Sequence, residues 1–350
     1  MRAAYPVLER YAYLNAGSTG PLARATVEAI EGGRRRDLAE GRGGPRYFEE
    51  MLAARERVRA ALAAEIGVSA GNVALTSSTT AGCNIVLAGL GLGPEDEVVT
   101  TDAEHFGLLG ALHVSGARVV VAPPEPERLL AAVTPRTRLI AVSHVLWTTG
   151  RVLPVRELKE QSGLPVLVDG AQSVGAIPVD AAGCDWYTVS AQKWLCGPDP
   201  SGALYVADPD ALPVALPTYF AQAAYEPDGA FEPKAGAARF DSGWIDPPSL
   251  AGLEAALAVH PEWRFVRAAE LAARCRELLA GRYEVVTEPG QATLVAFRWT
   301  ESDPAEAAKQ AYAHGVVIRD IPGTGLLRVS CGYWNDEGDL ERLLDAFQHR

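Results

Sequence analysis

From about Asn72 to Val206, short apolar and β-branched runs alternate with longer stretches of helical spacing. The runs are NVALTS, EVVTTD, ARVVVA, RLIAVSHV, PVLVDG, WYTVS and ALYVA, and Thr79–Leu90 and Val155–Ser162 are two of the helical stretches between them. That alternation predicts an α/β fold with a doubly wound, mostly parallel sheet. The Pro- and Gly-rich stretch from Pro209 to Pro248 reads as irregular connection. Ser249–Gly281 reads as long helix broken at Pro261. The runs ATLVAFRW, VVIRDI and LLRVSC follow, with helices expected over Pro304–His314 and Asp336–Gln348, which makes a second, α+β unit. The chain is expected to divide into a large domain over 16–255 and a small domain made of 1–15 and 256–350.

Composition narrows the classes of function. A chain of 350 residues, 48% hydrophobic, is long enough to bury the core of one large domain and a smaller one. A formal charge of −12 argues against an extended nucleic-acid or anionic-membrane surface, so any anionic ligand must be held locally. Met1–Leu14 carries Arg2, Glu9 and Arg10 and lacks the apolar core of a secretory signal, while apolar stretches such as Leu139–Val142 are only strand-sized. A cytoplasmic location, with no membrane partner, is expected. The five cysteines are scattered, with no C-x-x-C pair, and read as buried thiols. Six histidines show no metal-ligand spacing, so no metal is expected. Gly89–Gly93 (GLGLG) precedes a strand instead of linking strand to helix, the wrong order for a dinucleotide loop.

In doubly wound sheets ligands gather beyond the carboxyl ends of the strands. Here those ends are polar: Ser77–Thr80, Asp102–His105, His144–Thr148, Asp169–Gln172 and Ser190–Lys193. The chain has four lysines, of which Lys159 and Lys309 lie on polar helix faces and Lys234 in a loop. Lys193 alone closes a strand beside apolar residues, Trp194 and Leu195, a setting that lowers an amine's pKa and makes it nucleophilic. A surface lysine with its stem on Trp194 fits the same residues. Asp169 ends an apolar strand and needs a cationic partner, for which a protonated pyridine nitrogen would serve; an ordinary Asp-Gly turn is the alternative. The Ser77–Thr80 run between strand and helix suits an anion at a helix N-terminus, although one such residue would be needed for capping alone. Ser190 is a second hydroxyl for that anion. His105 has the position to lie on a pyridine ring, or to be structural.

Taken together these residues resemble the class V aminotransferase and cysteine desulfurase superfamily, of pyridoxal 5'-phosphate (PLP) fold type I. The resemblance runs in order through YLNAGSTGPL (Tyr13–Leu22), ALTSSTTAGCN (Ala74–Asn84), DAEHFG (Asp102–Gly107), SHVLWTTGRVLP (Ser143–Pro154), VDGAQSVGAIPVD (Val168–Asp180), SAQKWLCGP (Ser190–Pro198) and LLRVSCGYWN (Leu326–Asn335). It implies PLP as cofactor, with Lys193 as the Schiff-base lysine, Asp169 on the pyridine nitrogen, Gln172 near the phenolate oxygen and His105 stacked on the ring. It places Thr79, Thr80 and Ser190 on the phosphate and Gln192 in the cofactor site. Arg328 would clamp the carboxylate of a small amino-acid substrate, with Trp147 and Asn15 also at the substrate. A homodimer with the site near its interface is implied as well.

Departures from the pattern shape the expected activity. Desulfurases carry a nucleophilic cysteine shortly before the carboxylate arginine, and Ile318–Leu327 (IRDIPGTGLL) has none. Strand alternation turns Cys331 away if Arg328 faces the substrate. Cys196 reads as packing. Gln192 and Trp147 stand where desulfurases usually have histidine and asparagine, and Trp244 replaces a threonine that many relatives extend to the partner's phosphate, with Ser242 as a substitute. The form SHVLWTTG resembles the cystine C–S lyase branch. The expected reaction is therefore a PLP-dependent β-elimination on cystine, cysteine or a cysteine S-conjugate. An aminotransferase, an ergothioneine-type sulfoxide lyase and an amino-acid epimerase are the alternatives. The wall around the substrate side chain is expected from Tyr219–Phe231.

Overall fold

The computed structural model describes residues 1–348; the last two positions of the expected small domain lie outside the described residues. Seven strands form the main sheet: β2 (Val73–Thr76), β3 (Glu97–Thr101), β4 (Arg118–Ala122), β5 (Thr137–Ser143), β6 (Val166–Asp169), β7 (Trp186–Ser190) and β8 (Gly202–Val206). Their spatial order is β2-β8-β7-β6-β5-β3-β4, and β8 alone runs antiparallel to its neighbours. The central strands are apolar nearly throughout because both faces are covered, one by the cluster around Val142, Val168 and Val189 and the other by that around Ala141, Leu167 and Leu204. β2 and β4 are the edge strands, and Val121 of β4 is more than half exposed.

Register fixes the site. Ser143 is paired with Asp169 across β5 and β6, and Asp169 with Thr188 across β6 and β7, so three parallel strands end at nearly one level. After β3 the chain goes outward to β4 and then returns to the other side of β3 as β5. The crevice where ligands collect in such sheets therefore opens between the loops that follow β3 and β5. Those loops carry His105 and Trp147.

The C-terminal part is built on an antiparallel sheet of β11 (Leu294–Arg298), β14 (Leu326–Ser330) and β13 (Arg319–Ile321). The run VVIRDI is not one strand. Its first half, β12 (Val316–Val317), pairs with the N-terminal β1 (Ala12–Tyr13), while β13 pairs with β14, because the two halves have different partners on either side of Ile318. Ala12 and Leu14 share one apolar cluster with Leu271, Phe297 and Leu340, which ties the N-terminus to this sheet. The expected helical stretch after residue 249 forms two helices, Pro247–Ala258 and Arg264–Ala280. The segment read as irregular holds a hairpin, β9 (Gln222–Tyr225) with β10 (Phe231–Pro233), closed by the turn Glu226–Ala230. Its strands are largely exposed, so they lack the apolar alternation by which a strand is recognised.

A buried ion cluster locks the edge of the main sheet. Asp241 accepts hydrogen bonds from Arg55 Nη2 at 2.9 Å, from Arg59 at 2.8 Å and from the Leu75 amide at 2.8 Å, and all three charged residues are under 5% exposed. Removing the carboxylate would strand two desolvated guanidiniums. Asp241→Ala is expected to lower the unfolding free energy in urea by about 3–5 kcal/mol; a loss under about 1 kcal/mol would mean that the arginines find other partners.

Candidate active site

Thirteen residues enclose a cavity of about 180 Å³, and ten of them are Ser78, Thr79, Thr80, His105, Trp147, Asp169, Gln172, Ser190, Gln192 and Lys193, all from the polar strand ends. Ser143, Val145 and Ala171 complete its wall. Of the expected site residues, Arg328 and Asn15 stand just outside this lining. None of Tyr219–Phe231 lines it, so the expected wall is corrected for this cavity: Tyr219 is mostly exposed and the hairpin that follows contributes no residue to the lining.

One end of the cavity is an anion cradle. Ser78 caps the Thr79–Leu90 helix, its hydroxyl accepting from the Ala81 amide, and the Thr79 amide donates to Ser190 Oγ at 3.2 Å. Ser190 Oγ also lies 3.2 Å from Thr79 Oγ1. Hydroxyls and the positive end of a helix thus converge. On the far side, the Asp169 carboxylate accepts from the Ala171 amide at 2.8 Å and is 3% exposed. His105 caps the Phe106–Val114 helix through Nδ1, which accepts from the Gly107 amide at 3.1 Å, and this leaves the proton of the neutral ring on Nε2. Burial, with the nearby Lys193 charge, holds its pKa below the usual imidazole value.

Lys193 lies between these ends. Burial lowers its amine to about 8; Asp169 opposes the shift, and Arg328 and Arg319 add to it. The loop that carries it is pressed against the N-terminal segment. The Gly20 amide donates to the Gln192 carbonyl at 2.8 Å, and a Cβ on Gly20 would come within 2.0 Å of the Lys193 carbonyl oxygen. Only glycine permits that approach. Gln172 joins the same contact, giving one N–H to the Gly17 carbonyl at 2.8 Å and accepting from Trp194 Nε1 at 3.0 Å, with its second N–H unspent.

A second cation sits beside Arg328, and sequence reasoning passed over it. Arg319 and Arg328 are direct cross-strand partners in β13 and β14. Arg328 donates to the Trp147 carbonyl at 2.9 Å and to Ser18 Oγ at 3.4 Å; Arg319 donates to the same Ser18 Oγ at 3.3 Å and lies 5.9 Å from the Trp147 ring centre. Ser18 in turn donates to Asn15 Oδ1 at 2.9 Å. Neither arginine forms an ion pair among the described residues, and Arg328 is fully buried. Burial together with Arg319 draws the Arg328 guanidinium down to about 9, so it stays charged at neutral pH without a counter-ion. The signal for Arg319 lay in the PGTG turn at 322–325: a hairpin folded there sets 319 opposite 328.

All five cysteines are buried. Cys331 packs with Cys275 in the core behind β14, on the side away from Arg328, and burial pushes the Cys196 thiol well up. Ser242 donates its amide to the Leu75 carbonyl, and Trp244, half exposed, meets Phe48 and Phe220. Among the described residues no cluster of three or more His, Cys, Asp or Glu side chains is placed to hold a metal ion, and no helix is long and apolar enough to cross a membrane.

The donor set fits PLP. A helix-end hydroxyl cradle suits its phosphate, a buried carboxylate its ring nitrogen and a desolvated amine its aldehyde, and the buried Gln192 Oε1 and Trp147 Nε1 have no partner among the described residues. Fold and site together define a fold-type I PLP enzyme. The chain belongs to the class-V aminotransferase family, whose model matches residues 12–343. It is 30% identical to the isopenicillin N epimerase of Streptomyces clavuligerus over an alignment covering 95% of this chain and 93% of the relative. It is 34% identical to a cysteine desulfurase of Klebsiella pneumoniae over 59% of this chain and 57% of that one. Among solved structures it is similar to the cystine C–S lyase C-DES in complex with its reaction product cysteine persulfide, at a TM-score of 0.90 and 28% identity over 99% of both chains.

The lowered amine makes a prediction. In the cofactor-free protein, reductive methylation of Lys193 is expected to rise with pH through a midpoint near 8, because only the neutral amine reacts, while the exposed Lys309 rises at much higher pH. Mass-resolved labelling across pH 6–11 measures both; coincident profiles would refute the desolvated setting.

Proposed function

We propose that the chain is a PLP-dependent C–S lyase that eliminates sulfur from the β-carbon of cystine or a related cysteine disulfide. The observation that carries this reading is the pair of unpaired guanidiniums, Arg319 and Arg328, beside a site that no thiol enters. Cystine carries two carboxylates. Two adjacent cations without internal counter-ions suit such a ligand, and a planar guanidinium meets a carboxylate through two parallel hydrogen bonds. C-DES, the cystine C–S lyase to which the chain is similar, supports the same choice.

In this reading Thr79, Thr80 and Ser190 would hold the cofactor's phosphate, Asp169 its ring nitrogen and Lys193 its aldehyde, with His105, Gln172 and Gln192 as further contacts to the cofactor. When bound, the cofactor supplies an electron sink for negative charge at the substrate's Cα. Arg328 grips the α-carboxylate and is itself oriented by the Trp147 carbonyl and Ser18. Arg319 takes the distal carboxylate. The Lys193 amine, brought by burial to about 8 so that roughly a tenth of it is neutral at pH 7, would remove the Cα proton of the bound substrate. The Cβ–S bond then breaks with its electron pair going to sulfur. A disulfide leaves as a persulfide, a better leaving group than a simple thiolate, so no enzyme thiol has to attack. Water completes the balance: cystine and one water give pyruvate, ammonia and cysteine persulfide. We place the reaction in the cytoplasm and in a homodimer.

The identity to an epimerase over nearly the whole chain favours a second reading, in which Lys193 takes the Cα proton, one is returned to the opposite face and no bond to sulfur breaks. The test is incubation of the PLP-loaded enzyme with L-cystine, with pyruvate, sulfane sulfur and optical rotation followed together. Pyruvate and sulfane sulfur in equal amounts are expected. Loss of rotation without pyruvate would replace the lyase by an epimerase, and amination of an added keto acid by an aminotransferase. Arg319→Gln is expected to raise KM for cystine about 10- to 100-fold, the worth of one charge-assisted hydrogen-bond pair, and to leave KM for S-methylcysteine, with its single carboxylate, within about 3-fold. An equal rise for both substrates would remove the distal-carboxylate role.

A further inference from the structure

Glu104 precedes His105 and is 5% exposed, yet no cation lies within ion-pair distance of it among the described residues. Its carboxylate is fully occupied. Oε1 accepts from Thr101 Oγ1 at 2.8 Å and from the Ser143 amide at 3.0 Å; Oε2 accepts from the same amide at 3.1 Å and from Ser143 Oγ at 2.5 Å. Ser143 lines the cavity and is the register partner of Asp169 on the neighbouring strand, and the next amide, that of His144, donates to the Asp169 carbonyl at 3.0 Å. Glu104 is therefore joined to the Asp169 strand end through Ser143 and the amide of His144.

We propose that Glu104 is a positioning residue that also sets the electrostatic potential at Asp169, so that its own protonation tunes how firmly the cofactor's ring nitrogen and the Lys193 nitrogen hold their protons. A neutral amide of the same shape would fix Ser143 with a smaller desolvation penalty. What the carboxyl adds is a charge that can come and go. Burial pushes its pKa up to about 7, and the hydrogen bonds from Ser143 and Thr101 oppose the shift without cancelling it. The titratable groups around it are Asp169 on β6, whose charge raises it, and Cys83 on the Thr79–Leu90 helix, a buried thiol held well up that feels both carboxylates. Inside the cavity stand His105 and Lys193, with Arg319 and Arg328 behind them. Below the titration Asp169 is the single carboxylate charge at this strand end; above it there are two, and both favour protonated nitrogens opposite them.

The inference rests on the cofactor assignment and is independent of the lyase reading, because its test uses no substrate. The visible band of the PLP-loaded protein is titrated with pH in the wild type, in Glu104→Gln and in Ser143→Ala. Glu104→Gln is expected to move the midpoint of the band down by on the order of one pH unit, through loss of a buried negative charge that favours the protonated nitrogens. A residue that only braced the loop would alter stability and leave the midpoint in place. Ser143→Ala keeps the carboxyl and removes a bond that favours its charged form, so the Glu104 titration should move to higher pH.

The cofactor-free protein supplies the second readout. Its infrared difference spectrum should contain a protonated carboxyl that disappears as pH rises through about 7 and is missing from Glu104→Gln. Stability follows the same sign. With its folded pKa above the ordinary 4.5, the carboxyl makes its full contribution below pH 4.5 and loses it as pH rises through about 7, so the urea midpoint of Glu104→Gln should gain on the wild type across that interval. An unmoved band midpoint in a folded Glu104→Gln overturns the proposal. So does a Glu104 already ionised at pH 5 in the wild type, which can be read even if the variant does not fold.

Discussion

A primary amine in water is protonated at neutral pH and cannot act as a nucleophile or a base, so the chemistry of this site depends first on keeping water from Lys193. Burial does most of that, drawing the amine to about 8, and the surrounding charges hold the balance: Asp169 pulls it up while Arg319 and Arg328 push it down. Either influence alone would spoil the setting. Without Asp169 the buried amine would lose its proton too readily to be held in the resting site, and without the arginines it would be the more firmly protonated. The lysine loop must therefore be placed among charges that come from distant parts of the chain.

The segment Asn15–Gly20 is the joint that allows it. Its Gly20 amide and missing Cβ seat it on the Gln192–Lys193 backbone, its Gly17 carbonyl holds Gln172, and its Ser18 hydroxyl receives both arginines. Just before it, the Leu14 carbonyl accepts from the Ser330 amide of β14. A Cβ on Gly17 would stand 2.8 Å from Arg328 Nη2 and 2.9 Å from Ser330 Oγ. The main-sheet loops and the β13–β14 hairpin thus meet across six residues of backbone, with hardly a side chain between them. Small residues are required here because both neighbours approach the main chain itself.

The main sheet was legible because buried parallel strands read as continuous apolar runs, and the polar residues that end them stood out against that background. Nine of the residues named in advance, from Thr79 to Lys193, meet in one cavity for that reason. What escaped depended on tertiary partners. VVIRDI looks like one strand, and its division at Ile318 is decided by β1 on one side and β14 on the other. With the division unseen, the pairing of Arg319 with Arg328 was invisible too. The exposed hairpin at Gln222–Pro233 carries no apolar period. Glu104 read as a polar neighbour of His105, since nothing local reveals that it is buried against Ser143, 39 residues later.

The distribution of sulfur and charge around the site separates chemistries that share the lysine and the aspartate. A family whose members include an epimerase and a desulfurase cannot be sorted by the groups that bind the cofactor, because activation of Cα is common to both. The sorting lies in what receives the departing group. An enzyme thiol that attacks sulfur must be accessible and readily ionised; here burial keeps the cysteines of this region from both, and the nearest in sequence, Cys196, faces the N-terminal tyrosines. Sulfur transfer to the protein is thereby disfavoured, and a leaving group that departs unaided must already be stable as an anion, which a persulfide is. In the proposed reading the two guanidiniums act in the same direction, for a disulfide of two amino acids would bring to the site both a leaving persulfide and a second carboxylate for the extra arginine to meet.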